Sequence, residues 1–323
     1  MDFLDPVYMV RGSAFGSDFN SKLAFALVTV GLVVWDRYRS KRWDYAWVLL
    51  VGAVGLALVE MWMQLRGTRS LPDRVLLGEH LPLVVSALLQ GISEGAFIAV
   101  FGLFFADRIL CRRSRNRALT GLVLALFLLV LLVVLHAARS EVAGQAAGRR
   151  DMTAVGPLVL LILVVAFDVW FWWRRPKYRT RSLMMTAVML GLVAVWTTAS
   201  AATGGRWVEV PGPTSDSFQR ASSAVSISAL TFDIVFEIVL AAVPFFAIPA
   251  LLESTANRVV SGCIEQAGCQ ARRVTSKQEG GAGDAGHVDT ERALSAVSEP
   301  TARRLSHRQP GQTRTEVRNP APV

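Results

Sequence analysis

Long apolar runs separated by short polar connections dominate this chain. Seven of them approach or exceed the roughly 20 residues that an α-helix needs to cross hydrocarbon. They cover about Phe19–Trp35, Trp43–Leu65, Leu81–Ala106, Ala118–Leu135, Ala154–Trp173, Ser182–Ala202 and Ala224–Leu252. The pattern predicts an all-α, polytopic transmembrane helical bundle over residues 19–252. An extracytoplasmic N-terminal segment, 1–18, precedes it, and a mostly disordered cytoplasmic tail, 253–323, follows. The first run is the weakest, because Asp18, Asn20, Ser21 and Lys22 lie in its outer half; it is short unless those residues snorkel to the interface, and six spans is the fallback. No basic stretch leads into an apolar one at the N-terminus, so the first run is expected to persist as a span.

Orientation follows from the connections. Segments 36–42, 108–117 and 174–181 are dense in Lys and Arg, whereas 66–80, 138–153 and 203–223 are longer and less densely basic. The first set is expected in the cytoplasm, which puts the N-terminus outside and the C-terminus inside a multi-pass protein of the plasma membrane. Tryptophans fall near the run ends: Trp35, Trp43, Trp47, Trp170, Trp172 and Trp173 on the inner side, and Trp62, Trp196 and Trp207 on the outer side. They read as an interfacial belt. At the start of the tail, Val259, Val260, Cys263, Ile264 and Ala267 share a helical face, which suits either a short amphipathic helix on the inner leaflet or a frayed end of the last span.

Composition agrees: 52% of the 323 residues are hydrophobic and only 18% charged, which is more apolar than a soluble domain of this size. The net charge of +9 is spent on topology, since the basic residues cluster between runs and no zinc-finger or RNA-binding signature accompanies them; nucleic acid is not an expected partner. Cys111, Cys263 and Cys269 lack metal-site spacing and read as reduced cytoplasmic thiols.

The informative residues are acids inside the runs, where each charge costs roughly 2.5–3.5 kcal/mol on insertion scales. Asp168 lies one to two turns from Arg174 and Arg175, near the inner surface, and reads as snorkelling or locally paired. Glu60 sits one turn from the outer end of its run. Glu94, Asp233 and Glu237 lie near mid-run; Asp233 and Glu237 are spaced i, i+4 and share a face with Ser226, while Gln90 and Ser93 accompany Glu94. No Lys, Arg or His lies at matching depth within a run. These acids are therefore expected to take up protons or a cation. Pro244, two turns beyond Glu237, is expected to kink the last helix. Gly52, Gly55 and Gly191 read as close-packing positions between helices.

Three functional classes fit this pattern. The first is a proton- or cation-handling transporter or channel using Glu94, Asp233 and Glu237, with Glu60 at the outer mouth. The second is a non-transporting membrane subunit or scaffold whose acids pair with another membrane protein. The third is a membrane-embedded enzyme acting on lipid, although no HExxH motif is present in the sequence. The lipid bilayer is the one partner common to all three, and no cofactor is specified. Seven spans with an outer N-terminus resemble the layout of rhodopsins, but the last span carries no lysine for a retinal Schiff base.

Overall fold

The structure, a computed structural model, describes residues 6–12, 19–41, 43–70, 74–139, 146–213 and 217–256. The side chains at positions 136, 138, 139, 146, 147, 237 and 253–256 are not among those described. The tail beyond 256, with its expected amphipathic segment and Cys263 and Cys269, also lies outside the described residues.

The chain opens with strand β1 (Tyr8–Gly12). Helices α1 (Phe19–Ser40) and α2 (Asp44–Leu65) follow. Three two-residue strands come next, β2 (Arg69–Ser70), β3 (Val75–Leu76) and β4 (Glu79–His80). Helix α3 spans Leu83–Leu110, α4 Arg115–Arg139 and, after strand β5 (Ala146–Asp151), α5 spans Val155–Arg174 and α6 Pro176–Ala202. Strands β6 (Arg206–Pro211) and β7 (Phe218–Arg220) lead into α7, which starts as Ser223–Phe232 and ends as Val243–Ala256. Seven of these helices are long and apolar enough to cross a membrane, which marks an integral membrane protein.

Two helices outrun their apolar stretches for local reasons. Helix α1 continues past Trp35 because Arg37 and Arg39 fall in its last turn, where a cation suits the carbonyl end of the helix dipole. Helix α6 begins at Pro176, six residues before the apolar run, because proline is preorganised for the first helical position and has no amide hydrogen to leave unsatisfied. Arg181 on that early turn is buried against α2 and α3: it meets Asp107 at 2.6 Å and Asp44 at 2.9 Å, and Tyr45 Oη donates to Asp107 at 2.9 Å. This network ties three helices together at the end of the bundle that carries the basic loops.

The opposite end holds what the all-α expectation omitted. Five strands form an antiparallel sheet in the order β2-β5-β1-β6-β7. They come from the N-terminal segment and from the three connections longest between spans, so all of them lie at the end away from the basic loops. Segment 1–18 thus contributes the central strand rather than a loose lead-in. Trp207, read as part of an interfacial belt, is buried on β6, with its indole N–H donated to Glu209 at 2.8 Å. Met9, Met152 and Val208 form an apolar cluster beneath the sheet, against Val225, Ala229, Leu230 and Phe232 of α7.

Within the bundle, α2 and α3 approach at the distance of bare backbone. A Cβ added at Gly91 would sit 2.1 Å from the Ala53 carbonyl oxygen, and one at Gly95 would sit 2.9 Å from Leu56. Such small-residue contacts are how apolar helices gain dispersion energy in lipid. Gly52 and Gly55 fit the same reading, lying against Ala96 and Phe245. Gly191 does not: nothing lies within 4 Å of a Cβ placed there.

Two helices depart from α geometry, and both departures carry the mid-run acids. Gly91–Ala96, containing Glu94, and Asp233–Val239, containing Asp233 and Glu237, are π-helical. In α7 the wide stretch is followed by a 3-10 turn at Leu240–Ala242, so the disturbance ahead of Pro244 is spread over the preceding ten residues.

Candidate functional site

Sheet register decides what faces the bundle. In an antiparallel pair, directly opposed residues project to the same face, and so do residues two apart on one strand. Arg11 opposes Arg206, Met9 opposes both Val208 and Arg150, and Arg150 opposes Arg69. Four strands therefore each place one arginine on a single face. It is the face that carries Met9, Val208 and Met152 onto α7.

Those arginines meet the acids singled out from the sequence. Arg11 donates from Nη1 and Nη2 to the two carboxylate oxygens of Glu94, at 2.6 and 3.0 Å, a bidentate pair. Lys22 stands 3.6 Å from the same carboxylate and donates to Gln90 Oε1 at 3.4 Å. Asp233, fully buried, sits between Arg150 Nη2 at 2.6 Å and Arg206 Nη2 at 2.7 Å. Glu60, 1% exposed, is ion-paired with Arg69. The expectation that these acids lack a positive counterpart is thus overturned. The cations come from strands beyond the span ends, and from Lys22, which turns inward with 5% of its surface exposed rather than snorkelling outward.

Among the in-run acids whose side chains are described, the one without a counterpart is Asp168. It is 1% exposed, and among the described residues neither carboxylate oxygen has a hydrogen-bond partner. Local pairing with Arg174 or Arg175, expected from sequence spacing, is not what the structure holds.

Arg11, Lys22, Glu60, Arg69, Glu94, Arg150, Arg206 and Asp233 all line one cavity of about 340 Å³ beneath the sheet. Ser93 contributes to its wall, as does Ser200 of α6. Gln90 supports the site through Lys22. Ser226 is not in the wall; its hydroxyl donates to the Ala221 carbonyl at the start of α7. The side chain of Glu237 is outside those described. Among the described residues, no three His, Cys, Asp or Glu side chains gather as metal ligands would.

Among the described residues, five cations and three carboxylates line the wall, so cations outnumber acids there. Electrostatics on the sheet side reflect it. Burial, reinforced by Arg11, Arg150 and Arg206, pulls the Arg69 guanidinium well below the usual arginine pKa, against the opposing pull of Glu94. Burial also lowers that of Arg206; Asp233 opposes the shift, and Arg11 and Arg150 add to it. Arg11 is also penalised by burial, but Glu94 prevails and holds its pKa above the usual value. Two buried donors on the wall, Arg206 Nε and Ser200 Oγ, have no hydrogen-bond partner among the described residues. Buried donors without acceptors cost about 1–3 kcal/mol each, and more when charged. An anion seated here would accept from them.

Sequence reasoning found the acids and missed the arginines. A local signal was present in three strands: Met9-x-Arg11, Arg150-x-Met152 and Arg206-x-Val208 each place an arginine two residues from an apolar residue, the period of a strand with one covered face. Comparison with known proteins finds no matching family model, no similar curated protein and no similar solved structure.

Proposed function

We propose that this integral membrane protein binds an anionic solute in the cavity between its sheet and its helices, and that it is a transporter for that solute. The observation that carries this reading is a wall lined by four arginines on which two buried donors, Arg206 Nε and Ser200 Oγ, find no hydrogen-bond partner among the described residues. A buried donor without an acceptor is costly, and an anion seated against Arg206 would supply the acceptor. Glu94, Asp233 and Glu60 act here as positioning residues: each fixes a guanidinium at a defined place on the wall. The π-helical stretches at Glu94 and Asp233 add support, since such widened turns occur often at functional sites.

The test is binding by the purified protein. Inorganic phosphate or sulfate is expected to raise the unfolding temperature in a saturable way at fixed ionic strength, matched with chloride. Arg206→Gln is expected to abolish most of that rise. A response equal to that of chloride, or one unchanged by Arg206→Gln, would overturn the assignment.

A second reading, a proton- or cation-handling transporter, is favoured by one observation, the buried and unpartnered carboxyl of Asp168. Under it, Asp168→Asn would abolish proton- or cation-driven flux in proteoliposomes while leaving anion binding intact. Undiminished flux in that variant would remove the reading.

A further inference from the structure

The cavity is not uniformly polar, and its apolar part extends in one direction. Its charged wall lies under the sheet. Away from the sheet the lining passes to Gly55, Leu56 and Val59 of α2, which face Leu160, Leu161 and Val164 of α5. Near the sheet these two helices touch through Trp62, whose ring lies 2.8 Å from a Cβ placed at Gly156. Below that contact the cavity separates them, and Phe245 of α7 forms its back, against Gly55. Gly55 and Glu60 are five residues apart, so the apolar arm descends roughly 7 Å along α2 from the charged wall at 1.5 Å per residue. Leu160 lines the cavity and is 37% exposed, and its neighbours on α5, Val159 and Leu163, are 50% and 62% exposed, so the arm runs up to the exposed side of that helix.

A small hydrophilic anion has no use for such an arm. Resting on the reading that the charged wall binds an anion, we infer that the ligand is an anionic amphiphile, with a headgroup of one or two negative charges against Arg206 and Arg69 and an alkyl chain between α2 and α5. The volume suits a headgroup with part of a single chain, being at the lower end of the range for small-molecule sites. The ligand enters sideways from the bilayer, past Leu160. The arm accommodates the chain and the arginines supply selectivity for charge.

The experiment measures equilibrium binding to the full chain in a non-ionic detergent with three ligands: inorganic phosphate, dodecyl phosphate and dodecanol. Dodecyl phosphate is expected to bind at least tenfold tighter than inorganic phosphate, and dodecanol to show no saturable binding. Leu161→Trp and Val59→Phe, which fill the arm from opposite sides, are expected to weaken dodecyl phosphate at least tenfold while leaving inorganic phosphate unchanged. Arg206→Gln is expected to weaken both phosphates. Equal affinity for the two phosphates, with no effect of either arm variant, would overturn the amphiphile and leave the anion site standing. Binding of neither phosphate would overturn both. Dodecanol binding as tightly as dodecyl phosphate would overturn the role given to the arginines.

Discussion

Arg150 and Asp233 meet at 2.6 Å although 83 residues separate them, and the contact joins the second strand of the sheet to the widened turn of the last helix. Arg206 approaches the other carboxylate oxygen at 2.7 Å, so one acid holds two strands down onto the bundle. Asp233→Asn would leave both guanidinium groups buried without their anion. The expected cost is about 3–5 kcal/mol in denaturant or thermal unfolding, with part of it recovered by added phosphate. A loss below about 1 kcal/mol would show that the pair does not secure the sheet.

The Arg11–Glu94 pair is less enclosed, with side-chain exposures of 21% and 25%. Its two parallel hydrogen bonds still make it directional. A double-mutant cycle with Arg11→Ala and Glu94→Ala is expected to give a coupling energy of about 1.5–3 kcal/mol, the range for hydrogen bonds to charged groups. Additive single variants would contradict the bidentate geometry.

Two glycines give opposed expectations from the same substitution. Gly91→Ala drives a methyl group into the Ala53 carbonyl and is expected to cost about 3 kcal/mol, the upper part of the range for overpacking. Gly191→Ala meets open space inside a helix and is expected to gain about 0.5–1 kcal/mol. Unfolding of the two variants in one detergent measures both signs.

Arg181 provides a comparison remote from the cavity. Arg181→Ala removes the cation shared by Asp107 and Asp44 at the far end of the bundle, and is expected to destabilise the fold by about 3–5 kcal/mol. At a temperature where the variant stays folded, its affinity for phosphate is expected to match that of the parent protein. A parallel loss of affinity would mean the two charge networks are coupled.

The helices were legible because a span is a local property: enough consecutive apolar residues announce it, whatever the rest of the chain does. The sheet was not, because Tyr8–Gly12 pairs with Ala146–Asp151 and with Arg206–Pro211, partners more than a hundred residues away. Strands of two to six residues inside polar connections carry too little pattern to be told from loops. The same distance in sequence hid the counter-charges. Glu94 and Asp233 stood out within their runs, but a search for cations at equal depth inside the spans excluded Arg11, Arg150 and Arg206, which hang from the sheet. Asp168 was misjudged for the converse reason: arginines close in sequence suggested a partner that the helix geometry does not deliver.

The order of the strands along the chain has a consequence for biogenesis. Arg69 follows Glu60 by nine residues, and Arg11 precedes Glu94, so both pairs can form before the last helix is made. Arg150 and Arg206, in contrast, both precede Asp233, which arrives only with the final helix. Until α7 is made, the carboxylate shared by Arg150 and Arg206 is missing, and its arrival ties β5 and β6 to the last helix. A chain truncated before α7 is expected to be cleaved faster within its strand-bearing connections than the full chain, as limited proteolysis in detergent would measure.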